Sequence, residues 1–84
     1  MTHYEIVFLP RAERDLKSLD KVTAAHIIEK IEAMSHGLAG DVIKLTGTER
    51  SYRLRVGRHR VLFDMEGNKL LIQRVRPRKE NTYD

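Results

Sequence analysis

Eight arginines stand between residue 50 and the end of the chain: Arg50, Arg53, Arg55, Arg58, Arg60, Arg74, Arg76 and Arg78, with Lys69 and Lys79 among them. Guanidinium is planar, always protonated, and carries a fork of donors that matches two phosphate oxygens at once. Residues 1–49 hold six basic and eight acidic side chains, for a net of −2, whereas residues 50–84 hold ten basic and four acidic, for a net of +6. A small chain that gathers its positive charge in this way suits a polyanionic partner; the plainer alternative is a solvated face. Spacing bears on the choice. With Gly57-Arg58 as a two-residue hairpin loop, Val56 pairs with His59, Arg55 with Arg60, Leu54 with Val61 and Arg53 with Leu62. This register collects the apolar residues on one face and sets Arg55 across from Arg60, with Arg53 on the same side. Opposed like charges destabilise a strand pair by a few tenths to about 1 kcal/mol. Folding gains nothing from them, and an anion between them makes sense of the arrangement. Several forks on one phosphate would also stabilise charge that grows in a transition state.

The elements that must carry these residues follow from periodicity. His3–Leu9 alternates, with Tyr4, Ile6 and Phe8 on one face, and reads as a strand. Pro10 stops it and starts a short helix with the stripe Ala12, Leu16, Leu19. Asp20 reads as the cap of a second helix whose stripe is Ala24, Ile27/Ile28, Ile31, Met34 and Leu38. Gly37 is expected to end it in a left-handed conformation. Residues 40–47 read as loop, with a short extended piece at Val42–Leu45. Three strands follow: Arg50–Val56, His59–Met65 and Lys69–Val75, the last two joined at Glu66-Gly67-Asn68. Leu70, Leu71 and Ile72 are consecutive apolar residues, so the last strand reads as covered on both faces. Pro77 stops it, and Arg78–Asp84 is a polar tail. The expected fold class is α+β, ordered β-α-α-β-β-β, with a mostly antiparallel sheet and a helical hairpin on one face. All 84 residues are expected to form a single domain.

Composition narrows the chemistry. The chain has no cysteine, so it has neither disulfides nor thiolate metal sites, which fits a reducing cytoplasm. No apolar run approaches the ~20 residues that span a bilayer, and the N-terminus does not read as a signal peptide. His3, His26, His36 and His59 are scattered without ligand spacing, and no metal site is expected. Asp64 and Glu66 read as solvated acids beside a turn. Tyr83 reads either as an anchor on the core or as a group that stacks on a base or handles a proton.

The blocks Tyr4–Phe8, Ala12 with Asp15-Leu16 and Leu19, Lys44–Gly47, Tyr52–Val61, and Arg74–Glu80 with Tyr83 together resemble the RelE/ParE toxin superfamily, and within it the RelE-type mRNA interferases. The resemblance covers nearly the whole chain, and residues 52–61 are its most specific block. It implies the toxin of a type II toxin–antitoxin module: a ribosome-dependent endoribonuclease that needs no metal or other cofactor. The 2′-OH of an mRNA nucleotide in the A site of the 70S ribosome attacks the adjacent phosphate, giving a 2′,3′-cyclic phosphate and a 5′-OH. By resemblance Arg55, Arg60, Arg78 and Tyr83 are catalytic, and Arg53, Arg58, Arg76 and Lys79 bind RNA. Arg60 would hold the scissile phosphate, Arg78 would assist it or the leaving oxygen, and Tyr83 would stack or move a proton. Well-known members carry lysine where this chain has Arg53 and Arg55. A permanently charged arginine is no base, which leaves Tyr83, Glu80 and His59 as candidates for the proton acceptor. The implied partners are a cognate antitoxin, mRNA on the ribosome, and operator DNA only through the antitoxin. No membrane partner is expected. Two alternatives share the fold: a ParE-type poison of DNA gyrase that cuts no RNA, and an inert RNA- or ribosome-binding module.

Overall fold

The computed structural model describes residues 3–47 and 51–77. Strand β1 (Glu5–Phe8) leads into helix α1 (Pro10–Lys17) and helix α2 (Lys21–Ala33), and a 3₁₀ turn follows at Met34–His36. Four strands complete the fold: β2 (Asp41–Lys44), β3 (Ser51–Val56), β4 (His59–Glu66) and β5 (Lys69–Pro77). They form one sheet with β1 in the order β1-β5-β4-β3-β2. The α+β class holds. The sheet has five strands because the short extended piece near Val42 is a true edge strand, and it is mixed because β1 runs parallel to β5.

Local chemistry accounts for the helix boundaries. Pro10 sits in the first turn of α1, where its missing N–H costs nothing. Asp20 caps α2: its carboxylate accepts from the Thr23 backbone N–H at 3.0 Å and from the Thr23 hydroxyl at 2.6 Å. These bonds hold the Asp20 carboxyl below its ordinary pKa. The expected left-handed helix end differs in detail. The 3₁₀ turn intervenes, and Gly37 then adopts φ 143° and ψ 163°, a mirror-extended conformation open chiefly to glycine.

One face of the sheet carries the core. Leu54 and Val56 of β3, Val61 and Phe63 of β4, and Leu70, Ile72 and Val75 of β5 pack against Ala12, Leu16, Ile27, Ile31 and Met34. Tyr52 and Phe63, paired across β3 and β4, stack with centroids 5.5 Å apart and help pin that register. The two hairpin loops use Gly57 and Gly67 at positive φ, and among the described residues no other residue type has positive φ, so both turns are of the II′ kind.

The β4–β5 pairing contains one irregularity. Leu62 faces Arg74 and Phe63 faces Ile72, so Gln73 is an extra residue. Such a bulge inverts the alternation of the residues beyond it. It keeps Val75 in the core and leaves Leu71, Gln73, Arg74 and Arg76 out of the core, all half-buried. Asp64 is not the solvated acid that its closeness to a turn implies. It lies within β4, half-buried, and accepts from the Ser51 hydroxyl at 2.7 Å and from the Gln73 amide at 3.2 Å.

Where β1 ends, α1 takes over the open edge of β5. Asp15 accepts the Val75 backbone N–H at 2.9 Å, which satisfies an edge donor that has no strand beside it. The same carboxylate binds Arg74 bidentately, at 2.8 Å to Nε and 3.2 Å to Nη2. The Arg74 hydrogen bond first, and the Val75 N–H with it, hold the Asp15 carboxyl below its usual range despite an opposing desolvation. A depressed folded-state value stabilises the fold above the unfolded carboxyl pKa of about 3.9 and loses that contribution as pH falls through the folded value. Asp15→Asn should therefore cost about 1–2 kcal/mol near neutral pH, after allowance for partial solvent screening. It should also remove part of the acid-induced loss of stability, as read by urea unfolding from about pH 7 down to about pH 2.

Candidate functional site

The face of the sheet turned away from the helices carries the arginines. Arg55 pairs directly with Arg60 across β3 and β4, and Arg60 pairs directly with Arg76 across β4 and β5. Directly paired residues project to the same side of a sheet. The three guanidinium groups therefore rise from one line that spans two strand spacings, roughly 10 Å. All three are half-buried. At the edge of the sheet the line continues to Asp41, which pairs with Arg55. Asp41 Oδ2 lies 3.5 Å from Arg55 Nε, and its Oδ1 lies 3.6 Å from Arg53 Nη2.

Arg53 stands on the same face, one pleat along β3, but only 2 % of it is exposed. It adds charge behind the line rather than an open surface. Arg58 is exposed in the β3–β4 turn and faces elsewhere: with Val22, Thr23, His26 and His59 it lines a cleft of about 350 Å³ beside α2. His59 pairs with Val56 and shares the helix side of the sheet with it, so its imidazole does not face the arginine line. Arg74 is engaged by Asp15 and is a structural member of the set. Arg78, Lys79, Glu80 and Tyr83 lie outside the described residues.

Sequence reasoning found the Arg55–Arg60 pair and missed Asp41, which it read as loop. Asp-Val-Ile-Lys shows no polar–apolar alternation to mark a strand, and only the observed antiparallel pairing brings this carboxylate opposite an arginine. The Arg60–Arg76 pairing was not legible either, because it depends on the bulge at Gln73.

What this line can do is bind an anion with several negative oxygens. Arginine forks reach phosphate bidentately, and the flanking strands hold the forks at fixed spacing without any reorganisation. Among the described residues no group of three His, Asp or Glu side chains stands together as a metal-binding set, and no helix is long and apolar enough to cross a membrane.

The sequence model of the family described as "ParE toxin of type II toxin-antitoxin system, parDE" matches residues 6–82. The chain belongs to this family. Its fold is also that of solved RelE-type proteins. A chain of the RelBE2 toxin–antitoxin complex from Mycobacterium tuberculosis superposes with a TM-score of 0.81 at 23% identity, covering 92% of this chain and 100% of that one. A chain of the archaeal RelE–RelB complex from Pyrococcus horikoshii gives 0.80 at 25% identity, with 94% and 99% covered. The isolated Escherichia coli RelE toxin gives 0.78 at 15% identity, with 93% and 87% covered. No curated protein sequence matches the chain. The protein is thus a toxin of a type II toxin–antitoxin module with a RelE-like fold.

A built anion site has a simple thermodynamic signature. Inorganic phosphate at about ten times its dissociation constant should stabilise the protein by about 1.4 kcal/mol. Thermal melts should show this rise in the parent protein and its loss in Arg60→Ala and in Arg76→Ala.

Proposed function

We propose that the toxin is an endoribonuclease that cuts mRNA on the ribosome, and that the arginine line is where it holds the RNA backbone. The observation that carries this reading is the direct cross-strand pairing of Arg55, Arg60 and Arg76. Three like charges in a row cost stability and suit a ligand of opposite sign. Arg60, with a cation on each side, is the residue assigned to the scissile phosphate. Arg55 and Arg76 take the flanking oxygens or the neighbouring phosphates, and buried Arg53 deepens the positive field.

In the proposed reaction the 2′-oxygen of one nucleotide attacks the adjacent phosphorus. The 2′-proton leaves, a five-coordinate phosphorane forms, and the bond to the 5′-oxygen of the next nucleotide breaks. That oxygen takes up a proton and departs as a 5′-OH, and a 2′,3′-cyclic phosphate remains. The guanidinium groups stabilise the added negative charge; they move no proton. His59 is turned away from the line, so of the three candidates Glu80 and Tyr83 remain for proton transfer, with Arg78 assigned to the leaving oxygen. The ribosome would supply the alignment of 2′-oxygen and phosphate that a small sheet does not impose alone.

The toxin's partner under this reading is a cognate antitoxin, as in the RelE–RelB complexes whose fold it shares, and both would act in the cytoplasm. Calorimetric titration with the product of the adjacent reading frame should show tight binding, and absence of heat would count against it.

A second reading, a gyrase poison without RNA cleavage, draws on the match to the ParE family model. Mapping transcript 5′ ends after induction separates the two. Cuts phased to codons, ending in 5′-OH and persisting in purified translation extracts, support the nuclease. Intact transcripts with arrested replication support gyrase. For the nuclease, Arg60→Ala should reduce cleavage by about 10²–10³-fold, the usual effect of removing one transition-state donor. Growth arrest left untouched by Arg60→Ala would defeat the proposed mechanism.

A further inference from the structure

Asp15 and Asp41 contact arginines in different ways. Asp15 holds Arg74 at 2.8 and 3.2 Å in a bidentate clamp and takes a backbone N–H as well. Asp41 stands 3.5 and 3.6 Å from Arg55 and Arg53, and Arg55 Nε makes no hydrogen bond. The Asp41 side chain is 54% exposed and belongs to the four-residue edge strand, whereas Arg55 is 33% exposed and Arg53 2%. One contact is a fastener and the other is a loose electrostatic neighbour.

We propose that Asp41 is a built-in placeholder for phosphate, and so a residue that sets how strongly and how selectively the arginine line takes RNA. This rests on the RNA-cleaving reading. In the free protein the carboxylate bridges two guanidinium groups that would otherwise repel each other across one pleat. It is a single charge at more than hydrogen-bond distance, so an RNA phosphate that also engages Arg60 and Arg76 outcompetes it. A displaced carboxylate remains near cations, because Asp41 also lines a cleft of about 270 Å³ with Lys30 and Arg55. Its charge then repels the incoming backbone, so only an anion presented in register with the whole line binds well. Loose polyanions are screened out.

The opposite signs of two effects test this. Asp41→Asn keeps the shape and removes the charge. Its affinity for a fluorescent single-stranded 2′-O-methyl oligoribonucleotide, read by anisotropy, should rise roughly 3–10-fold at low salt. The slope of log affinity against log salt should steepen by roughly 0.7, one further phosphate neutralised on a single strand. Asp41→Glu, which restores the charge, should return both values toward the parent. Inorganic phosphate should raise the melting temperature of Asp41→Asn more than that of the parent, a difference that survives any shift in the unliganded baseline.

Unchanged or weaker RNA binding by Asp41→Asn overturns the placeholder. Parent-like binding with lost cleavage also overturns it, because Asp41 would then act on the chemical step. Arg60→Ala is run alongside. If it fails to weaken RNA binding, the RNA-cleaving reading itself falls and takes the placeholder with it. If Arg60→Ala weakens binding while Asp41→Asn does not tighten it, the placeholder alone falls.

Discussion

Strand register is the constraint on which the rest of this molecule depends. Side chains alternate between the two faces of a sheet, so a slip of one residue exchanges the faces completely. Here one face must bury Leu54, Val56, Val61, Phe63, Leu70, Ile72 and Val75 against two helices. Each large apolar side chain stabilises by about 1.5–3 kcal/mol when buried, against at most about 1 kcal/mol of repulsion per opposed arginine pair. Burial therefore dictates the pairing, and the arginines are carried into line on the far face whether or not they repel. The site is a by-product of the core's geometry, made rigid by it.

The two acidic contacts divide the labour between fold and site. Asp15 closes the edge of β5 where β1 gives out, and in doing so it withdraws Arg74 from the cationic set. Asp41 sits at the other edge of the sheet and stands only loosely beside Arg55, at 3.5 Å. A count of positive residues along the sequence treats Arg74 and Arg76 alike. Their environments separate them: one is spent on α1, and the other faces Arg60.

Much of this was legible before the structure. Alternation and a two-residue loop at Gly57-Arg58 are local signals, and they yielded the β3–β4 register residue by residue, from Val56 with His59 to Arg53 with Leu62. The Asp20 cap and the Pro10 start are equally local. What escaped depends on contacts remote in sequence or on a single inserted residue. Counting straight from the Gly67-Asn68 turn places Val75 opposite Arg60, and only the extra Gln73 replaces it with Arg76. The parallel β1–β5 pair has no turn to announce it, β2 is four residues without polar–apolar alternation, and the burial of Arg53 follows from its surroundings rather than its neighbours. Arg78, Lys79 and Tyr83 stand out from the sequence itself, Glu80 only through the resemblance, and all four lie outside the described residues.

The position of β5 has a temporal consequence. It is the latest-made of the described strands, yet it lies inside the sheet, bonded to β1 on one side and β4 on the other. Until it leaves the exit tunnel, β1 has nothing to pair with, and the cationic line lacks one of its three members. Long-range pairings of this sort form late. A nascent chain interrupted before that point can form the β2-β3-β4 part of the sheet, but neither docks β1 nor brings Arg76 beside Arg60.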